Sequence, residues 1–376
     1  MPPSPRCYLL ALIGLALVLT PRLAAADEAA EQFFAALKPG HWSQVPDSQM
    51  SHVFYAGPLA DQVRGTNGPS SVIAAWGGGA LDTKRNRLVL WGGGHRNYAG
   101  NEVYAFDIGT LRWMRLTDPS PIAGYDDSGI YPDGAPASHH SYGGIAYIPA
   151  PIDRLFVQGG ARYASGAGDT HTWFFDFATK KWTRRADSPA TAYGDIAAYD
   201  PVTRRVWMEV GGTHGYLLDY DPAADRWTAH GSIFSESISY YMTGAIDPER
   251  RLLVAAGNKV VCSWKLGDSV SIVYNKVKTE GDTEAEEKGS PGFVFYPPGH
   301  DFVAWVGGTT VYTLDPADWK WTAHPAAADN KVAPTAPAGT GTFGRFQYVP
   351  SKGVFVLVND AGQNVFFYRP AFAAAH

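Results

Sequence analysis

The chain has 376 residues, 45% apolar and 18% charged, a balance that excludes a disordered chain and allows one large all-β domain or two smaller ones. The formal charge of −5 argues against nucleic acid or an anionic membrane surface as a general partner. Glycine (41), proline (27), Trp (12), Tyr (20) and Phe (18) point to short strands joined by tight turns.

Residues 1–26 have the form of a signal peptide: Arg6 in a short basic start, an apolar run over residues 8–20, then Ala24-Ala25-Ala26 as a cleavage site. The run is short for a bilayer span, so a retained anchor is the lesser alternative. Cleavage leaves 29 basic and 36 acidic residues, net −7. It leaves Cys262 as the single cysteine, so no internal disulfide is expected and stability must come from packing. The mature chain, 27–376, reads as one domain, periplasmic or secreted, monomeric, and free of the membrane once cleaved.

After a short turn expected near 33–37, an isolated strand is expected over 41–46. From there a repeat dominates. A turn between two apolar strands recurs at Asp82, Pro149, Pro201, Pro248, Pro298 and Pro350, spaced 67, 52, 47, 50 and 52 residues. The second strand often ends in glycines: Gly92-Gly93-Gly94, Gly159-Gly160, Gly211-Gly212, Gly307-Gly308. Asp-x5-Trp follows in four copies: Asp107…Trp113, Asp176…Trp182, Asp221…Trp227 and Asp315…Trp321. Each copy reads as a turn with a Trp opening the next strand and packing between sheets. The tryptophans and glycine pairs recur where no site could, so they read as structural.

Each unit of about fifty residues is thus strand a, turn, strand b, Gly-Gly, strand c, Asp turn, Trp-led strand d. This resembles the kelch repeat, which builds β-propellers of four-stranded blades. Unit four departs from it, with Gly257 alone and no Asp-x5-Trp, and unit six has Asn359-Asp360 in place of Gly-Gly. The fold expected is an all-β, six-bladed propeller. Residues 41–46 supply the strand d that the sixth unit lacks. A seventh blade in 47–70 is the rival, though that stretch shows no hairpin. Three inserts break the period: 118–137, 276–290 and 326–341. The charged 276–290 insert reads as a solvated loop tip. Asp126-Asp127-Ser128-Gly129 does not match a calcium loop and reads as a plain turn.

In such a ring, the start of each strand a and the end of each strand b share one face. There the sequence places His95, Arg96, Tyr98 and Asn101; His139 and His140; Arg162, Tyr163, Asp169 and His171; Tyr193 and Asp195; His214 and Tyr216; Tyr240 and Tyr241; and Arg345. Arg96 reads as a surface residue. Aromatic faces suit the CH surfaces of sugar rings, and Arg and His suit carboxylates, so a uronic-acid polysaccharide or oligosaccharide is the expected ligand. The expected chemistry is β-elimination. Arg345 or Arg162 with His95 neutralises the carboxylate, His140 is the base, and Tyr240 or Tyr241 the acid. Tyr98, Asn101, His139, Arg162, Tyr163, Tyr193, His214 and Tyr216 are expected to bind substrate. The resemblance extends to propeller-shaped polysaccharide lyases and to kelch-type sugar epimerases. A non-catalytic glycan- or protein-binding module is the alternative of another class.

Other chemistries fit less well. There is no Gly-x-Ser-x-Gly elbow and no phosphate-cradling loop. Cys262 sits in an apolar run, against a copper-radical oxidase. Glycosidase carboxylates reduce to Asp169 and Asp195. No cofactor is called for, and a divalent metal on His95, His140 and His214 stays an open alternative.

Overall fold

The computed structural model describes residues 28–191, 193–210, 216–232, 241–267 and 273–372, with side chains left out at 216, 231–232 and 273–275. Residues 1–27 (which include the expected signal peptide), His214 and Tyr240 lie outside the described residues, and Tyr216 is described by its backbone alone. Among the described residues no helix is long and apolar enough to cross a membrane.

Local turn chemistry explains the hairpins. The carboxylates of Asp107, Asp176, Asp221 and Asp315 each accept a backbone N–H two or three residues on, the self-capping turn that Asp favours. The next strand is then entered through a left-handed residue: Leu111, Lys180, Asp225 and Trp319 have φ between 52° and 59°. Each Trp that follows packs inward. The indole N–H of Trp113 donates to the Ser48 carbonyl and that of Trp227 to the Ala186 carbonyl.

Six antiparallel sheets result, each built a-b-c-d. Their a strands are Gly78–Asp82, Ile145–Ile148, Ile196–Asp200, Thr243–Asp247, Gly292–Tyr296 and Phe346–Val349. Adjacent sheets pack face to face: Val89, Trp91 and Ala105 of blade one meet Ile145, Leu155 and Trp173 of blade two in one apolar cluster. The a strands of all six blades line a central channel of about 330 Å³, with Ala80, Tyr147, Ala198, Ala245, Phe295 and Gln347 in its wall.

The ring closes as the sequence implies. His41–Gln44 is the outer strand of the sixth sheet, paired antiparallel with Phe366–Arg369. Trp42, 2% exposed, packs on Tyr368 and Trp305 and donates its indole N–H to the Thr309 carbonyl of blade five at 3.0 Å. Trp42→Ala is expected to lower unfolding free energy by about 3 kcal/mol, read as a lower urea midpoint with unchanged slope; an unmoved midpoint removes the closure argument. Residues 28–36 form a helix that seats Phe34 against Phe367, longer than the turn expected near 33–37. Residues 47–70 hold only helical turns at Met50–Val53 and Ala60–Val63, so there is no seventh blade.

The charged insert differs from its expectation as a solvated tip. Glu280–Gly281 adds a parallel strand to the outer edge of blade five. Ala285 is fully buried, and the Glu286 carboxylate accepts from Trp321 Nε1 and Thr279 Oγ1. Its charge is spent on pinning the insert to an indole that would otherwise bury an unpaired N–H.

Candidate functional site

One position of the repeat builds the mouth of the channel. Six residues before the end of each a strand stand Trp76, Tyr142, Gly194, Tyr241, Ser290 and Phe343. Trp76, Tyr142, Ser290 and Phe343 have φ of 45–50° and Gly194 has φ 65°. Left-handed backbone is costly for bulky residues, roughly 1–3 kcal/mol each, and clusters at functional sites. Trp76, Tyr142, Tyr193 and Tyr241 enclose a cavity of about 320 Å³. Tyr241 is 45% exposed, against the burial of most large apolar side chains here. Tyr193 is half-buried and its hydroxyl donates to the Gly166 carbonyl at 3.1 Å.

Beside this collar sits His140, 3% exposed, its ring tilted on Trp76 at 4.8 Å and edge-to-face with His95 at 5.5 Å and Tyr142 at 6.0 Å. Burial, with the neighbouring imidazoles of His95 and His139, pushes its pKa down to about 4, so the ring is neutral at pH 7. The Asn97 amide lies 3.0 Å from His140 Nε2. Turned so that its nitrogen also reaches the carbonyls of Gly94 and His95, it donates to Nε2 and leaves the ring proton on Nδ1. His95 is exposed and left-handed, as is Arg96 after it, whose Nε donates to the Ala164 carbonyl at 2.7 Å.

Several sequence-based assignments place elsewhere. Arg345 is fully buried: its guanidinium donates to the carbonyls of Gly77, Val358 and Gly341, tying blade six to blade one, so it does not face a ligand carboxylate. Tyr98, 2% exposed, donates to the Glu102 carboxylate at 2.5 Å within the blade-one core. Asn101, also buried, binds Ser120 and the Pro136 carbonyl and so anchors the 118–137 insert. His139 is buried behind the collar, with Nε2 3.0 Å from Asp169 Oδ2, while His171 Nδ1 lies 3.0 Å from Asp169 Oδ1. Burial opposes ionisation of Asp169, but contact with the two imidazoles holds it below the usual carboxylate range. Most of these residues stand in loops and turns, where local backbone angles aim the side chain into packing.

Arg162 and Tyr163 are half-buried on the ribbon that pairs His139–His140 with Ala161–Arg162; Tyr163 packs near Tyr125 of the insert. Among the described residues no group of three or more His, Cys, Asp or Glu converges as a metal site.

Behind Tyr193 lies Asp195, fully buried, with neither carboxylate oxygen hydrogen-bonded among the described residues. It presses against Gly144, where a Cβ would come within 2.2 Å of Oδ2, so only glycine fits there. Burial pushes its pKa up to about 8, and burial with the Asp195 charge pushes Glu209 of the same blade up to about 8. Glu209 was not singled out from the sequence, although one carboxylate in the strand Arg205–Val210 was a signal. Trp76 and Phe343 were also passed over; aligning them with Tyr142 ahead of strand a would have found them.

The arrangement offers stacking faces, a neutral imidazole and exposed phenol at one opening. Compared with models of known families and with curated proteins, the chain matches none.

Proposed function

We propose that this is an exported carbohydrate-active protein of kelch-repeat type that binds a glycan at the collar and cleaves it by β-elimination next to a uronic acid. The observation that carries the reading is the collar: aromatic side chains from separate blades facing one cavity, two of them on left-handed backbone, with a neutral histidine packed on Trp76 beside it. Aromatic faces stack on sugar CH surfaces. In the reaction His140 removes the C5 proton, the C5–H electron pair forms the C4=C5 double bond, and the C4–O4 bond breaks. Tyr241 gives the leaving O4 its proton. His95 and Arg162 neutralise the carboxylate, since Arg345 is committed to backbone carbonyls.

One observation favours a second reading, a non-catalytic glycan-binding module: Asn97 occupies His140 Nε2, the atom that the base role needs. Elimination therefore requires the ligand to displace that amide. The test is incubation with a panel of uronate polysaccharides, following the ultraviolet absorbance of the unsaturated product. The enzyme reading expects product and a loss of roughly 100-fold or more in His140→Ala, with glycan binding retained. Tyr241→Ala is expected to weaken binding up to about tenfold. Binding without product leaves the module; neither binding nor product, from folded protein, overturns both readings.

A further inference from the structure

On the face opposite the collar, blade three breaks the pattern of its sisters. The third residue of each b strand faces a residue of strand c across the sheet. These pairs are Val89–Ala105, Phe156–Phe174, Val254–Ser263, Val303–Thr313 and Val356–Phe367 in the other blades. All are apolar or small, as sheet packing requires. In blade three the pair is Trp207–Asp219. Three residues after the strand-d Trp, where blade one has Leu116 and blade two Arg185, blade three has His230.

These substitutions form one cluster. Asp219 is fully buried and takes His230 Nε2 at 2.5 Å and Arg205 Nη1 at 2.8 Å. The Trp207 ring lies on the imidazole, centroids 5.0 Å apart. The arginines at the Arg205 position in blades one and two pair with the turn Asp, Arg87 with Asp107 at 2.9 Å and Arg154 with Asp176 at 2.6 Å. Arg205 instead leaves Asp221 at 4.0 Å to reach Asp219. The cluster lines a cleft of about 540 Å³ whose lip includes Val202, Thr203 and Gly267. Val202 is 59% exposed, an apolar lip over a polar floor.

The floor is unsatisfied. Trp207 Nε1 and His230 Nδ1 are buried without a hydrogen-bond partner among the described residues. Trp207 is 2% exposed and the His230 side chain 7%. With Nε2–H given to Asp219, His230 Nδ1 is an acceptor, and the indole N–H of the ring packed on it is a donor. Blade five provides an internal control. There the equivalent His324 takes Thr313 Oγ1 at 2.9 Å and is covered by Phe372 at 4.5 Å.

We infer that this cleft is a second saccharide site, separate from the collar. A sugar hydroxyl accepts from Trp207 Nε1 and donates to His230 Nδ1, and the CH face of the ring rests on Val202. A donor and an acceptor on two packed rings match a hydroxyl, which is both, and ligand pockets combine an apolar wall with few convergent polar groups. A carbohydrate protein with two such sites holds a long chain at two points, which raises affinity for polymer without a new chemical step.

The test uses full-length mature protein with 15N-labelled tryptophan, titrated with glucose, galactose, cellotriose, maltotriose and glucuronate. The indole N–H signal missing in Trp207→Phe reports the site. The expected result is a saturable shift of that signal with at least one sugar. The shift should weaken tenfold or more in His230→Ala and persist in Tyr241→Ala. His230→Gln, which keeps an acceptor, should recover part of it. A Trp207 signal unmoved by every sugar overturns the inference, whether or not collar variants change polysaccharide binding. So does a shift that survives in a folded His230→Ala protein.

Discussion

Asp195→Asn is expected to make the protein more stable at pH 8 and to flatten its dependence on pH. The Asp195 carboxyl is buried without a hydrogen-bond donor, and burial raises its pKa to about 8. The unfolded chain releases that proton near the ordinary value of about 4. The native state therefore holds a proton that the unfolded state has lost. The contribution of this group to native stability is fully present below about pH 4, falls as pH rises toward 8, and is lost above it. Between pH 5 and 8 the loss is on the order of 4 kcal/mol for one such group. Glu209 has the same sign, burial being its first cause and the Asp195 charge its second. Asn keeps the shape and removes the ionisation. Melting temperature measured from pH 5 to 9 should fall in the wild type, fall less in Asp195→Asn, and least in Asp195→Asn/Glu209→Gln. Parallel curves would show that the carboxyl is not held neutral by the fold.

Arg345→Ala is expected to cost roughly 4 kcal/mol, through lost charge-assisted hydrogen bonds and stranded carbonyls. The guanidinium is fully buried, which works against its charge and pushes its pKa down. It is retained because it satisfies three carbonyls from separate segments: Gly77 before blade one at 2.9 Å, Val358 after the second strand of blade six at 2.6 Å, and Gly341. Five donors in a planar fork can do this; the ammonium of lysine, a compact point charge, cannot match the fork. Arg345→Lys should thus recover less than half of the loss. The check is urea unfolding with the slope held constant. A fall under 1 kcal/mol in Arg345→Ala would overturn its role as the clamp between blades six and one. Because Arg345 shares a turn with Phe343 of the collar, its loss should also loosen the mouth.

The candidate site was legible in its address more than in its membership. Sequence spacing put histidines and tyrosines on one face of the ring, and His140, Tyr193 and Tyr241 do stand at or beside the cavity. Tyr98, Asn101 and His139 share the same loops and point into packing. A loop residue's direction depends on one or two backbone angles that spacing does not encode. Trp76 and Phe343 stand at the collar position on left-handed backbone, a conformation that their residue types do not announce.

By itself the sequence determined the repeat: hairpin turns fifty residues apart, Asp-x5-Trp turns, and an orphan N-terminal strand that fits the gap in the last sheet. These follow from local rules, namely Asp capping its own turn and side chains alternating along a strand, so they can be read in chain order. Only the tertiary structure decided which polar groups are satisfied. Arg345 meets carbonyls 4, 13 and 268 residues away, Asp195 meets none of the donors it needs, and Trp207 and His230 are left with free nitrogens. Hydrogen-bond satisfaction depends on through-space neighbours from other blades, and those neighbours exist only once the ring has closed.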